Sequence, residues 1–137
     1  MKVIVIAEAG VNHNGSLKLA KKLIHAAKLA KADYVKFQSF DYKKLVTKNA
    51  KKANYQKIKF KKNETQQDML KKLQLSISNQ KKIIFFCKKK KIKFLSTAFD
   101  KDNLDFLLKN KIDYIKIPSG EITNFPYLKY ISKQKKK

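Results

Sequence analysis

Short apolar runs alternate with longer amphipathic stretches along this chain, and the alternation predicts strands that are each followed by a helix. Four runs have the character of buried strands: residues 3–7, 33–38, 92–96 and 114–117. A repeated strand–helix order implies parallel strands joined by right-handed crossovers. The pattern therefore predicts an α/β fold with about four parallel strands and the helices outside.

The helices in this pattern begin at residues that suit a first helical turn, because their side chains bind free amides or because proline needs no amide partner. These residues are Ser16, Ser76 or Ser78, Asp100 and Pro126. In the first helix, His25 falls on the solvated side, opposite the apolar face. A short helix is predicted over residues 64–73. Residues 39–63 predict a long loop, which is uncommon in a compact domain unless it works at a site.

Two of the predicted strands carry a lysine near the end at which the strand leaves the sheet. Lys36 shares a strand face with Gln38 because side chains alternate, and Lys116 precedes a turn of small residues. An ammonium group in a buried strand costs several kcal/mol unless an anion or a wet cavity receives it. Each lysine therefore either faces a ligand or indicates that the strand prediction is wrong, and its position near the exit of the strand, beside a small polar turn, favours the ligand. Lys93, at the start of its strand, is interpreted as solvated.

Ligands of parallel α/β folds gather at the carboxyl ends of the strands. The topology alone predicts a ring there that consists of Glu8, Lys36, Gln38, Thr97, Lys116, Ser119 and Glu121. Two lysines with two hydroxyls suit a small, multiply anionic ligand such as a phosphorylated carboxylate. Glu8 and Glu121 could divide acid and base work. His13 is either a donor to a ligand oxygen or a turn histidine bonded to the backbone.

The net charge of +24 bears on possible partners. The 34 basic residues are all lysine, and they are spread along the whole chain instead of forming one stripe. Proteins that read nucleic acid usually recruit arginine for its bidentate hydrogen bonds. We therefore interpret the charge as the drift of an AT-rich coding sequence and expect no specific nucleic-acid partner.

The apolar runs and the cysteine content bear on location. No run approaches the roughly 20 residues that span a bilayer, so no membrane partner is expected. A single cysteine, Cys87, excludes an internal disulfide and is predicted to be a buried helix residue beside Ile83 and Ile84. A cytoplasmic protein is the expectation.

Four sequence blocks occur in order at the turns described above: IAEAGVNHNGS at residues 6–16, VKFQ at 35–38, FLSTAF at 94–99 and KIPSGEITN at 116–124. Together they resemble the sialic acid synthase family. The resemblance implies the N-terminal half of a (β/α)8 TIM barrel. It also implies condensation of phosphoenolpyruvate with an N-acetylated aldohexose such as N-acetylmannosamine, to give a nonulosonic acid and phosphate in surface carbohydrate biosynthesis.

The resemblance also implies roles for individual residues. It places Lys36, Thr97, Lys116 and Ser119 around phosphoenolpyruvate, and it turns Gln38 and Glu8 toward the sugar. Glu121, together with Glu8, would handle protons. Asn63 is the candidate for the family's sugar-contacting asparagine in the long loop.

The chain departs from the family in length. A barrel of this kind needs about 250 residues, whereas this chain has 137, with a barrel segment over residues 1–132 and a lysine-rich tail over 133–137. The family's divalent metal, Mn²⁺ or Mg²⁺, has its histidine ligands in the half that is missing, so the isolated chain is expected to be inactive. Two alternatives are a non-catalytic half barrel that pairs with itself or a partner half, and a basic nucleic-acid-binding fragment.

A second departure concerns the ends of the helices. Sites where the family favours glycine hold Lys31, Lys91 and either Asn110 or Lys111. A residue other than glycine in the left-handed conformation costs about 1 kcal/mol. The sequence therefore predicts a strained residue at each of these three turns.

Overall fold

The computed structural model describes residues 3–47, 50 and 65–136 of the chain. The described part forms a parallel three-stranded sheet in the order β1–β2–β3. The strands are β1 Ile6–Gly10, β2 Tyr34–Ser39 and β3 Lys93–Ala98. The helices are α1 Leu17–Leu29, α2 Tyr42–Leu45, α3 Gln66–Leu73, α4 Ile77–Lys89, α5 Lys101–Lys109 and α6 Phe125–Ser132, with a 3-10 helix over Ser119–Glu121.

The helices start where side-chain oxygens accept hydrogen bonds from amides of the first turn. Ser16 Oγ accepts from the amide of Leu19 at 3.3 Å, and Asp100 Oδ1 accepts from the amide of Asn103 at 2.9 Å. Ser76, and not Ser78, caps α4. The helix predicted over residues 64–73 is confirmed as α3. Pro126 lies in the first turn of α6, as predicted.

The boundaries of the strands differ from the sequence prediction. The first strand starts at Ile6 rather than at residue 3, and it includes Glu8 and Gly10, which the sequence assigns to a turn. The ladder with β2 begins where Ile6 faces Tyr34, and at its edge the carbonyl of Val5 accepts the amides of residues 33 and 34. Residues 3–5 consequently remain exposed. The strands β2 and β3 run further than predicted, to Ser39 and Ala98.

The predicted fourth strand is wrong as a continuous strand. Residues 114–117 follow β3, but their strand pairing is a single bridge between Thr97 and Lys116. Pro118, two residues later, has no amide hydrogen to donate to a ladder, and the chain then turns into the 3-10 helix. The long loop predicted from residue 39 is also interrupted, because α2 forms immediately after β2, where Asp41 accepts from the amide of Lys43.

The two faces of the sheet have different surroundings. The face that packs on α1 and α4 is mainly apolar, and its core includes Val35, Phe37, Ile24, Ile83 and Cys87. This confirms the predicted core position of Cys87, and His25 is exposed as predicted. The opposite face, which we call the inner face, carries the side chains of the alternate strand positions, beginning with Ile6, Tyr34 and Lys93.

Three turns between a helix and the following strand have a lysine in the left-handed conformation. The φ angles are 58° at Lys31, 52° at Lys91 and 58° at Lys111. The prediction of strained turns is thus confirmed, and the third turn uses Lys111 rather than Asn110, which ends α5 with a φ of −89°.

Candidate functional site

The inner face brings predicted site residues from neighbouring strands into register. Glu8 on β1 faces Lys36 on β2, Gln38 on β2 faces Thr97 on β3, and Thr97 is bridged to Lys116. Registered residues of a parallel sheet lie on the same face, and positions two apart along a strand share that face. Lys36 and Lys116 therefore belong to one face of the sheet, as the ligand hypothesis requires.

Lys36 has a carboxylate partner within the protein. Its ammonium group forms an ion pair with Glu8, and only 14% of the Lys36 side chain is exposed, against 52% for Glu8. The ion pair compensates the largely buried ammonium group for its lost hydration, which would otherwise be costly in this position. Glu8 is thus placed to hold Lys36.

Gly10 allows the polar side chains around it to lie close to the backbone. Its φ is +51°, in the left-handed region, and a Cβ built there would be 3.3 Å from Glu8 Oε1 and 3.8 Å from Gln38 Nε2. The ladder is also irregular between Glu8 and Gly10. The end of β1 consequently gathers the Glu8 carboxylate and the Gln38 amide around one glycine.

Thr97 has a buried hydroxyl with no hydrogen-bond partner in the described part of the chain. The residue is 2% exposed, and its Oγ1 is buried. An unsatisfied buried hydroxyl costs about 1–3 kcal/mol, so it is expected to gain from a ligand or water that bonds to it. The neighbouring Lys116 is exposed, so the position beside Thr97 is open to solvent.

Ser119 and Glu121 lie on the 3-10 helix that follows the bridge at Lys116. Ser119 is exposed, and Glu121 is half-buried. The Glu121 carboxylate accepts a hydrogen bond of 2.6 Å from Asn124 Nδ2, and Asn124 in turn caps α6. Glu121 is therefore held by its own turn, separately from the ion pair of Glu8 with Lys36.

His13 lies away from the inner face. Its ring is completely buried and packs against Phe37, a residue of the helix-facing side, with 5.9 Å between ring centroids. Its Nδ1 accepts a hydrogen bond of 3.0 Å from the amide of Gly15. Of the two predicted alternatives, His13 is therefore the turn histidine that bonds to the backbone. Its Nε2 has no partner among the described residues. Burial lowers the pKa of His13, because the charged ring would lose its hydration.

The environment of His13 predicts a pH dependence of stability. Since its pKa in the folded state lies below the ordinary value of 6.5, the contribution of the neutral ring is fully present above that value. It is lost as the pH falls below 6.5, by up to about 1.4 kcal/mol between pH 7.5 and 5.5. Urea unfolding over this range should show the loss.

The control for this measurement separates the two histidines. A His13→Asn variant keeps an acceptor for the Gly15 amide but has no titrating ring, so its stability should be nearly constant over the range. His25→Gln changes the exposed histidine and should leave the wild-type dependence in place. An unchanged slope in His13→Asn would contradict the assignment.

The remaining observations concern a predicted sugar contact, metal ligands and membrane-spanning helices. Asn63 lies outside the described residues, so its proposed contact with a sugar stays a prediction. Within residues 3–47, 50 and 65–136, no group of three or more His, Cys, Asp and Glu side chains could hold a metal ion. No helix in the described part is long and apolar enough to span a membrane.

The sequence analysis missed a buried polar cluster behind the site. Ser39, Ser96, Gln80 and Asn103 bond to one another on the side of the sheet that faces the helices. The sequence does contain a sign of this cluster. Residue 80 continues the helical spacing of the core residues 83, 84 and 87, so a glutamine occupies a position of the apolar stripe. Such a residue must find partners inside the protein.

The fold and the inner face define a class of protein: part of an α/β barrel with a polar, lysine-bearing site on the strands. A family model described as the NeuB family matches residues 23–137. The chain belongs to the NeuB family. This agrees with the resemblance to sialic acid synthases drawn from the sequence blocks.

The relatives indicate how much of such a protein the chain represents. It is 52% identical to an N,N'-diacetyllegionaminic acid synthase of Campylobacter jejuni, over 99% of this chain and 41% of that protein. It is 47% identical to the enzyme of the same name from Legionella pneumophila, over 98% of this chain and 38% of that protein. The chain thus spans about two fifths of the length of these relatives.

A solved structure supports the fold. The N-acetylneuraminic acid synthetase of Leptospira borgpetersenii, crystallised with citrate, superimposes with a TM-score of 0.77 at 30% identity. The match covers 96% of this chain and 41% of that chain. The predicted class, an α/β N-terminal portion of a TIM barrel with parallel strands and outer helices, is confirmed.

Proposed function

We propose that this chain is the phosphoenolpyruvate-binding portion of a nonulosonic acid synthase that acts in carbohydrate biosynthesis. The observation that carries the proposal is the inner face, where Lys36 on β2, Thr97 on β3 and Lys116, bridged to Thr97, come together and Thr97 offers an unsatisfied hydroxyl. Membership of the NeuB family and the names of the relatives support it.

The charges suit a donor with a carboxylate and a phosphate. Lys36 and Lys116 bind the two anionic groups, the Thr97 hydroxyl bonds to one of their oxygens, and Ser119 adds a hydroxyl at the exposed rim. When the ligand enters, Lys36 exchanges part of its pairing with Glu8 for the ligand anion. Positive charge at the phosphate also stabilises the negative charge that develops as the C–O bond breaks.

The reaction joins three carbons to six. The enol carbon of phosphoenolpyruvate attacks the aldehyde carbon of the sugar, and water adds to the resulting oxocarbenium carbon. Phosphate then leaves, so that one water is consumed for each nonulosonic acid formed. We assign proton transfer to Glu8 and Glu121, and contact with the sugar to Gln38, Glu8 and Asn63. We place the ligands of a divalent metal in the part of the relatives that this chain does not span.

The acceptor is an N-acetylated amino sugar. N-acetylmannosamine is the general expectation for the family. The two relatives that share about half of their aligned residues with this chain are named for N,N'-diacetyllegionaminic acid. We therefore propose the six-carbon diacetamido sugar that yields this acid as the preferred acceptor. Saturation-transfer NMR with phosphoenolpyruvate and either sugar would compare the two.

The donor site can be tested by calorimetric titration of the chain with phosphoenolpyruvate. We expect Lys36→Met and Lys116→Met each to weaken binding at least about tenfold, because each removes one charge-assisted contact. Lys93→Met is the matched control. It removes a lysine of the same face at the other end of β3, where Lys93 pairs with Asp113 at 2.9 Å, and it should bind like the wild type. Equal weakening in all three variants would indicate a nonspecific charge effect.

The isolated chain is proposed to bind without turning over. Phosphate release that requires phosphoenolpyruvate, sugar and Mn²⁺ together would overturn this part of the proposal. If the chain alone does not turn over, catalysis requires a partner half, which we propose would cover the inner face of the sheet. Mixing experiments with a separately produced C-terminal portion of a relative test whether such pairing restores activity.

A further inference from the structure

A buried hydrogen-bond chain connects β2 and β3 to the helix behind them. Ser39 Oγ donates to Gln80 Oε1 at 2.8 Å, so the 2.7 Å contact between the two serine hydroxyls is donated by Ser96. The amide nitrogen of Gln80 donates to the carbonyl of Leu75 at 3.2 Å and to Asn103 Oδ1 at 3.3 Å. Gln80 is 3% exposed, and its side-chain amide is fully used.

This hydrogen-bond chain lies directly behind the proposed donor site. Ser39 follows Gln38 on β2, and Ser96 precedes Thr97 on β3. Consecutive strand residues point to opposite faces. Each serine on the helix side is therefore the covalent neighbour of a site residue whose side chain lies on the inner face. A change in the separation of the serines therefore moves Gln38 and Thr97, which are in register with each other.

The same cluster extends to the loops after both strands. Asp100 Oδ2 accepts the amide of Asp41 at 2.9 Å and the side-chain amide of Asn103 at 2.8 Å. The amide of Phe99 donates to the carbonyl of Ser39 at 3.1 Å. The ends of β2 and β3 are therefore fixed to each other by side chains as well as by the ladder.

We propose that Gln80 is a positioning residue, which acts through Ser39 and Ser96 to fix Thr97 for the donor and Gln38, beside it, for the sugar; this rests on the proposed function. An apolar residue could fill the same space without the cost of burying an amide. Only a side chain with a donor and an acceptor, however, can accept from Ser39 and donate to Asn103 at the same time. The cluster thus selects one geometry at the carboxyl ends of the strands.

The test is Gln80→Leu in the full chain, with two readouts. Titration should give a dissociation constant for phosphoenolpyruvate about tenfold higher than that of the wild type, since small displacements of binding groups are costly. The NMR signals of the Gln38 side-chain amide and the Thr97 backbone amide should also shift. Ile83→Val is the control, because it alters a buried residue one turn further along α4 and should move neither readout.

The outcomes separate this inference from the proposed function. If the wild type binds and Gln80→Leu binds equally well, the positioning role is overturned. If the wild type itself does not bind phosphoenolpyruvate, the proposed function fails, and the NMR shifts alone decide whether Gln80 sets the geometry of the two site residues. If Gln80→Leu does not fold, Ser39→Ala removes a single hydroxyl of the same chain and takes its place, with the same two expectations.

Discussion

Replacement of Gly15 by alanine should destabilise the fold by about 3 kcal/mol, the largest loss that we expect from a single methyl group. The φ of Gly15 is +72°, a conformation in which a Cβ costs about 1 kcal/mol. A Cβ there would also lie 2.3 Å from the carbonyl oxygen of Lys72. Because that atom is backbone at the end of α3, it cannot rotate away, and α3 would have to shift.

Chemical denaturation of Gly15→Ala and the wild type measures this loss. Gly120→Ala is the matched control, since a Cβ at Gly120 meets no atom within 4 Å. We expect the control to unfold within about 0.5 kcal/mol of the wild type. If Gly15→Ala were as stable as the control, the close approach of α3 to the turn after β1 would be wrong.

The second large effect is a gain in stability. The triple variant Lys31→Gly, Lys91→Gly and Lys111→Gly should unfold with a free energy about 2 kcal/mol higher than that of the wild type. Each lysine has a positive φ, and glycine removes about 1 kcal/mol of strain at each turn. The more flexible unfolded chain of the variant offsets part of the gain. Urea unfolding provides the measurement.

Lys90→Gly is the control for this gain. Lys90 ends α4 one residue before Lys91, but its φ is −85°, so glycine relieves no strain there. We expect the control to lose about 0.5 kcal/mol, as glycine does in regular backbone. A comparable gain at Lys90 would mean that the effect comes from lower net charge rather than from backbone conformation.

Local chemistry made much of the fold predictable. Ser16, Ser76 and Asp100 are helix caps whose partners lie within three residues, so a short stretch of sequence contains the whole interaction. The left-handed turns were predictable for a different reason, because the resemblance to a family that favours glycine at these helix ends marked their positions. The start of β1 was not, because the apolar character of residues 3–5 does not reveal where β2 begins to pair. The fourth strand was not predictable either, because the pairing of residues 114–117 depends on their register with β3 as well as on Pro118 after them.

For the candidate site, the sequence predicted which residues share a face of the sheet but not which of them bond to each other. Alternation along β2 placed Lys36 and Gln38 on one face, and the topology placed Thr97 and Lys116 beside them. The sequence did not reveal that Glu8 pairs with Lys36, because the pair depends on the register between β1 and β2. Of the two alternatives that it left for His13, the backbone-bonded one is observed, with the ring against Phe37 instead of on the inner face.

The carboxylate of Asp100 has a consequence for how the protein opens. It accepts the amide of Asp41, which begins the segment after β2, and it also caps α5, which follows β3. The segment after β2 and the helix after β3 therefore depend on the same carboxylate. We expect both to open together in one local unfolding event rather than independently. Local unfolding that releases the start of α2 then also opens the first turn of α5, so the rim of the site opens and closes as one unit.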